Sequence, residues 1–151
     1  MPRRQPLRKL LEDHTVSDTT EHAFRSDMLA LLKSDADPFS RGRFDPGHFT
    51  ASAFLLSPEK DALLLILHGK LNRWLQPGGH IDPSDESALA GAMRELHEET
   101  GIHKITPLAS GLFDVDIHQI PARKNEPAHR HFDLRFVFVA HSREMQAASD
   151  A

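Results

Sequence analysis

The run "GGHIDPSDESALAGAMRELHEETGI", Gly78 to Ile102, opens on a glycine pair and closes on the crowded acids Glu95, Glu98 and Glu99. From Ser87 to Thr100 the residues Leu89, Ala92, Met93, Leu96 and Thr100 recur at about 100° per residue, which predicts a helix with one core-facing stripe. Glu95, Glu98 and Glu99 stand at i, i+3 and i+4, so their carboxylates share a second face. Like charges at this spacing cost roughly a few tenths of a kcal/mol per pair, and Glu98 and Glu99 also lie in the last turn, against the helix dipole. A hard divalent cation reverses that cost, because Mg²⁺ and Mn²⁺ select carboxylate, carbonyl and water oxygens. Taken alone, "RELHEE" reads as an ordinary solvated helix face.

The upstream residues extend the pattern. Pro77 sets the entry to a turn, and Gly78 and Gly79 permit backbone conformations and close approaches that side chains forbid. Arg94, beside Glu95, is placed to orient a carboxylate by a charge-assisted hydrogen bond. In order along the chain stand Gly79, Glu86, Arg94, Glu95, an apolar residue, Glu98, Glu99, Gly101 and a further apolar residue. That order, with nearly the same spacing, resembles the Nudix box of the Nudix hydrolases.

The resemblance implies an α/β fold, a Nudix-like α/β/α sandwich on a mixed sheet, in which the box forms a loop, a helix and a loop. It implies metal ligation by Glu95, Glu98, Glu99 and the Gly79 carbonyl, with Arg94 and Glu86 orienting the first carboxylate. It implies Mg²⁺, or Mn²⁺ in its place, as cofactor, and hydrolysis of a diphosphate bond in a nucleoside diphosphate derivative or nucleoside triphosphate. The rival expectation is a domain of the same fold that binds a nucleotide without cleaving it, or an impaired, truncated member. Two departures stand out. The usual box has five residues between its first glycine and first acid, whereas six, His80 to Asp85, precede Glu86 here. Taking Asp85 as that acid restores the loop count but breaks the helix count, so Glu86 is preferred and the extra residue is assigned to the loop. In addition only "AHSREMQAASDA" follows Val139, where the family generally has a further strand and a helix. That shortness implies an exposed sheet edge, relieved by a homodimer or by the N-terminal helices.

Outward from the box, the chain has the length of one domain at 151 residues, with 39% hydrophobic and 26% charged residues and a formal charge of −4. Those values suit an ordinary globular protein and do not suggest nucleic acid as a partner. The absence of cysteine excludes disulfides and thiolate zinc sites. No apolar run is long enough for a signal peptide or a membrane span, so the expected location is the cytoplasm. Residues 1–44 read as an N-terminal helical extension on the outside of a domain spanning 45–151. Its helices are expected at 6–13 and 18–34, the second started by Asp18 with Glu21 three residues on. The basic "RRQPLRK" start is expected to sample solvent.

"HFTASAFLL" and "DALLLILHG" flank the turn chemistry "SPEK", which predicts a hairpin, the second run being covered on both faces. "FDVDIHQI" and "HRHFDLRFVFVAH" read as a second strand pair. Asp114, Asp116 and His118 share one face of the first strand, and His129, His131, Asp133 and Arg135 one face of the next. This stripe is either a solvent-facing side of the sheet, a substrate pocket, or a second metal site with imidazole ligands. His118, His129, His131 and Asp133 are therefore candidate substrate-binding residues, together with His80 in the box loop and Trp74. A tryptophan beside two leucines reads first as core and second as a surface on which a base stacks.

Overall fold

A computed structural model describes residues 3–69, 72–109 and 111–143. Two helices come first, α1 (Arg4–Asp13) and α2 (Thr19–Lys33). The second begins where the sequence pattern placed it, because the Asp18 carboxylate accepts the free Glu21 backbone N–H at 2.8 Å. A six-stranded mixed sheet follows. At its centre β1 (Gly47–Leu56) runs parallel to β8 (His129–Ala140), Gly47 facing Arg130 and Leu56 facing Val139. On the outer side of β1 lie β2 (Leu63–Leu64) and β5 (Gly78–His80), both antiparallel to it. On the outer side of β8 lie β7 (Asp114–Ile120) and β6 (Ile105–Pro107), again antiparallel. Between β5 and β6 the chain forms α3 (Ala88–Thr100), the box helix.

Alternation decides what each face of the sheet does. Phe49, Ala51, Ala53 and Leu55 of β1 share one face with Phe132, Leu134, Phe136 and Phe138 of β8, and all are buried. The apolar stripes of the helices close on that face. Ala92 and Leu96 of α3, Leu7 and Leu11 of α1, and Met28, Leu31 and Leu32 of α2 all belong to the same core. The N-terminal helices therefore complete the core, where the sequence placed them on its outside. The three- and four-residue spacing of their buried leucines and methionine was legible, but not which sheet they would meet.

Three further expectations change. The run 61–69 is not one covered strand: its chain leaves β1 after Leu64 and pairs instead as β3 (Ile66–His68) with β4 (Arg73–Leu75) in a two-stranded hairpin. Leu63 of β2, Leu65 at the break between the strands and Leu67 of β3 stay 40–47% exposed. Trp74, expected first as core, lies on the same hairpin and is 65% exposed. The basic start is not free in solvent either. Arg4 donates to the carbonyls of Leu32 and Ser34 at the end of α2, at 2.5 and 2.8 Å, where a cation also complements the helix dipole. The C-terminal stretch lies outside the described residues from position 144 on.

A buried polar clasp ties α1 to α2. His14 Nε2 lies 2.5 Å from Glu21 Oε1, and Ser17 donates to Glu21 Oε2 through its backbone N–H at 2.9 Å and its hydroxyl at 2.5 Å. The Ser17 hydroxyl, with help from the Ser17 N–H and His14, lowers the Glu21 carboxyl to about 2. A depressed carboxyl stabilises the fold above its ordinary range near 4.5, and that stabilisation is lost as pH falls toward 2. Glu21→Gln should therefore cost about 2 kcal/mol at pH 7, and the difference from wild type should vanish toward pH 2, as measured by urea unfolding across a pH series.

Candidate active site

The box is built on a loop, a short strand and a helix. Ser87 caps α3 by accepting the Ala90 N–H at 3.1 Å, and Gly101 ends it with φ of 73°, a left-handed conformation suited to glycine. Arg94 organises the interior. Its Nε donates to Asp85 Oδ1 at 2.9 Å, its Nη2 to Asp85 Oδ2 at 3.0 Å and to the His80 carbonyl at 2.9 Å. Its Nη1 reaches Glu95 Oε1 at 3.2 Å and Glu98 Oε2 at 3.1 Å. One planar guanidinium thus joins the loop to two of the three glutamates.

The acid that holds Arg94 is Asp85, not Glu86. Asp85 is buried and also accepts the Asp82 backbone N–H at 2.8 Å, whereas Glu86 is exposed. Counting residues favoured Glu86, because the helix register was preserved. The tertiary fold instead takes the acid that the loop points inward, and the extra residue falls between that acid and the helix. Arg3 reinforces the loop by donating to the carbonyls of Asp82 and Asp85 at 2.9 and 3.3 Å.

The two glycines differ in what they make room for: at Gly78 it is backbone, at Gly79 the carboxylate of Glu95. A Cβ there would lie 2.9 Å from Glu95 Oε1, and one at Gly78 would lie 2.8 Å from the Ala51 carbonyl oxygen. Neither glycine has a positive φ, so the sequence-based appeal to unusual backbone angles gives way to one of close approach. Glu99 is half-buried beside Glu95. Burial first, then the hydrogen bond and charge of Glu95, push Glu99 up to about 8, against a hydrogen bond from the Gly78 N–H. At neutral pH Glu99 therefore holds its proton. Glu98 is exposed and turned to Arg94.

The opposite face of the sheet is polar, yet it is not the wet face that alternation alone predicts. His48, Thr50 and Ser52 of β1 are buried on it with His129 and Asp133 of β8. Asp133 accepts from Thr50 Oγ1 at 2.9 Å, from Ser52 Oγ at 2.7 Å and from Arg135 Nε at 3.1 Å. Its oxygens are thus engaged in joining β1 to β8 and are not offered to a substrate. His118 is exposed and bonded through Nδ1 to Asp116 Oδ2 at 2.9 Å. His129 gives its Nδ1–H to the Pro127 carbonyl at 2.9 Å. His131 faces His48 across the parallel pair, and His80 faces Thr50 across β5. The rings of His48, His80 and His131 have centroids 5.0–5.7 Å apart.

Burial pushes His80 down to about 4 and His131 to about 3, and lowers His48 as well, so these rings are neutral at pH 7. His48 was missed from sequence, although the polar residues at 48, 50 and 52 of "HFTASAF" were a readable period-two signal. Two clefts of about 110 and 480 Å³ lie elsewhere, one around Leu55, Leu64 and Ile102 and one around Leu10, Leu108 and Val137. Neither is lined by a box acid or by these histidines.

With a box helix whose arginine and acids are organised in this way, the comparison with known proteins is direct. Residues 46–150 match the sequence profile of the NUDIX domain. The chain belongs to the Nudix family. A relative in Lactococcus lactis subsp. cremoris, named a probable DHNTP pyrophosphohydrolase, is 35% identical over 111 residues, covering 72% of this chain and 64% of the relative. The chain thus spans a little under two thirds of that relative's length. Among solved structures, a Nudix-family hydrolase from Clostridium perfringens is 28% identical with a TM-score of 0.49, over 68% of this chain and 74% of that one. The E. coli dihydroneopterin triphosphate pyrophosphohydrolase aligns over 68% of this chain and 75% of that one, at 13% identity and a TM-score of 0.49. Among the described residues no helix is long and apolar enough to cross a membrane.

The two candidate acids separate by experiment. Asp85→Asn removes the charge from a buried bidentate contact, for a loss of about 2 kcal/mol and a fall in Tm of roughly 5 °C. Glu86→Gln should stay within about 0.5 kcal/mol of wild type. Thermal unfolding of both variants checks the assignment.

Proposed function

We propose that this Nudix protein is a Mg²⁺-dependent pyrophosphohydrolase that cleaves a diphosphate bond in a nucleoside diphosphate derivative or nucleoside triphosphate. The observation that carries this reading is the Arg94-centred assembly. Asp85 anchors the arginine, the arginine reaches Glu95 and Glu98, and Glu95 packs against Gly79 with Glu99 beside it. We assign the Nudix unit to residues 45–151 and the helical extension to 1–44, with a cytoplasmic setting suited to soluble nucleotide substrates.

The residues present fit a hard divalent ion. Glu95, Glu98, Glu99 and the Gly79 carbonyl are an all-oxygen donor set of the kind Mg²⁺ and Mn²⁺ select. The Glu99 carboxyl is raised by burial first and then by its crowding against Glu95, and a cation would offset both. When bound, Mg²⁺ supplies neutralisation of the diphosphate charge and acidification of a water nucleophile. Arg94, locked by Asp85, holds Glu95 in place and also holds Glu98, which would be a ligand of the ion. The closed space above Gly79 keeps the Glu95 carboxylate at the backbone. Overall, water adds to one phosphorus, the bridging P–O bond breaks, and the leaving phosphate takes the bridging oxygen.

Substrate recognition draws on His80 in the box loop and on residues outside the box. Trp74 offers an exposed ring on which a base stacks, and His80, His118, His129 and His131 form the imidazole wall on the polar face of the sheet. The name of the Lactococcus relative supports a triphosphate and places dihydroneopterin triphosphate among the compounds to try.

Incubation with nucleoside triphosphates, dihydroneopterin triphosphate, dinucleoside polyphosphates and nucleotide sugars in Mg²⁺ tests the proposal. Wild type should release phosphate, pyrophosphate or a monophosphate, and Glu98→Gln and Glu99→Gln should each lower kcat by about 100-fold or more. Equal, negligible turnover by all three proteins overturns it.

The proton on Glu99 provides a second measurement. The ion needs the carboxylate, so Mg²⁺ or Mn²⁺ binding at pH 7 should expel close to one proton, and affinity should rise with pH up to about 8. Titration calorimetry in buffers of different ionisation enthalpy reads that proton, and its release should disappear in Glu99→Gln.

A further inference from the structure

We propose that His48, His80 and His131 form a binding site for a borderline transition-metal ion, Zn²⁺ first, separate from the carboxylate site of the box. The three imidazoles come from three adjacent strands, β1, β5 and β8, and each offers one ring nitrogen within 4.8 Å of the others. It is the one such group of histidines and acids found among the described residues. Zinc bound to imidazole at about 2.0–2.1 Å in a tetrahedron sets its ligands roughly 3.3 Å apart.

Two of the nitrogens are buried without any partner. Nε2 of His48 and Nε2 of His131 make no hydrogen bond, and His48 is only 1% exposed. Native interiors rarely leave such atoms unsatisfied, because each costs about 1–3 kcal/mol. The His48 tautomer is set as well. Its Nδ1 lies 3.0 Å from the Arg43 carbonyl oxygen, which only accepts, so Nδ1 carries the hydrogen and the Nε2 lone pair is free. A ligating histidine that gives its other N–H to a carbonyl is the usual outer support of a metal site.

The donor set also selects the ion. No carboxylate joins the trio, since Asp133 is engaged by Thr50, Ser52 and Arg135. Three imidazoles favour zinc, copper or nickel over magnesium or calcium. Three protein ligands leave a fourth position for water or a phosphate oxygen. His80 follows Gly79 directly, so the two ions would sit on either side of β5. The inference does not depend on the hydrolase reading, because it concerns binding alone.

The test uses the full chain stripped with EDTA and held in millimolar Mg²⁺. Zn²⁺ is titrated against a chromogenic chelator, and Co²⁺ is added to a separate metal-free sample as a visible-spectrum probe. We expect one equivalent of Zn²⁺ and intensified Co²⁺ bands of low coordination number. Both should persist in Glu98→Gln, Glu99→Gln and His118→Gln, and Zn²⁺ affinity should fall at least about 100-fold in His48→Gln, His80→Gln and His131→Gln. Circular dichroism checks the fold of each variant. If the buried His48 or His131 variant fails to fold, His80→Gln, at a half-exposed strand on the sheet margin, decides. Absence of stoichiometric Zn²⁺, binding that survives His80→Gln in the folded protein, or binding lost in the glutamate variants overturns the proposal.

Discussion

The parallel pairing of β1 with β8 is the constraint on which the rest of this structure depends. It sets Phe49 against Phe132 and Ala51 against Leu134 on one face, and His48 against His131 and Thr50 against Asp133 on the other. A slip of one residue would exchange the two faces and bury the polar rows under the helices. Asp133 guards the register from within. Its carboxylate accepts from both Thr50 and Ser52 of the neighbouring strand, contacts that a shifted pairing would break.

From that register two chemically different environments follow. On the apolar face, Ala92 and Leu96 seat α3, and this seating brings Glu95 down on Gly79 at the margin of the sheet. There the donors are oxygens, the acids are crowded, and Arg94 carries the compensating charge. On the polar face, burial removes water from imidazoles and leaves them neutral, with nitrogen lone pairs and few partners. One short strand, β5, contributes to both, through the backbone of Gly79 and the side chain of His80. Charge balance therefore differs sharply over a distance of one residue.

The N-terminal segment acts on the same assembly from outside the matched family region. Its leucines and methionine belong to the same core as Phe49 and Phe132, and Arg3 grips the carbonyls of Asp82 and Asp85 in the box loop. The loop is thus held by Arg3 on the carbonyls of Asp82 and Asp85 and by Arg94 on the His80 carbonyl and the Asp85 carboxylate. An insertion in a loop costs little entropy in itself, and here side-chain contacts restore the order it would relax.

Much of this was legible along the chain, and the reason is periodicity. Helical spacing located α3 and α2, the Asp18 cap marked a start, and strand alternation assigned the Phe132, Leu134 and Phe136 face. Such patterns are local, so they survive without knowledge of partners. The order of glycine, arginine and glutamates likewise sufficed to identify the family. What counting along the chain could not decide was which acid meets Arg94, since Asp85 and Glu86 differ only in the direction the loop turns. Nor could it join His48 to His80 and His131, which are far apart in sequence and meet only through strand pairing. The sequence by itself determined the elements and the box chemistry, because these depend on neighbours three or four residues away. Tertiary structure alone decided burial, the Asp85 contact and the histidine trio, because each depends on segments brought together by the sheet.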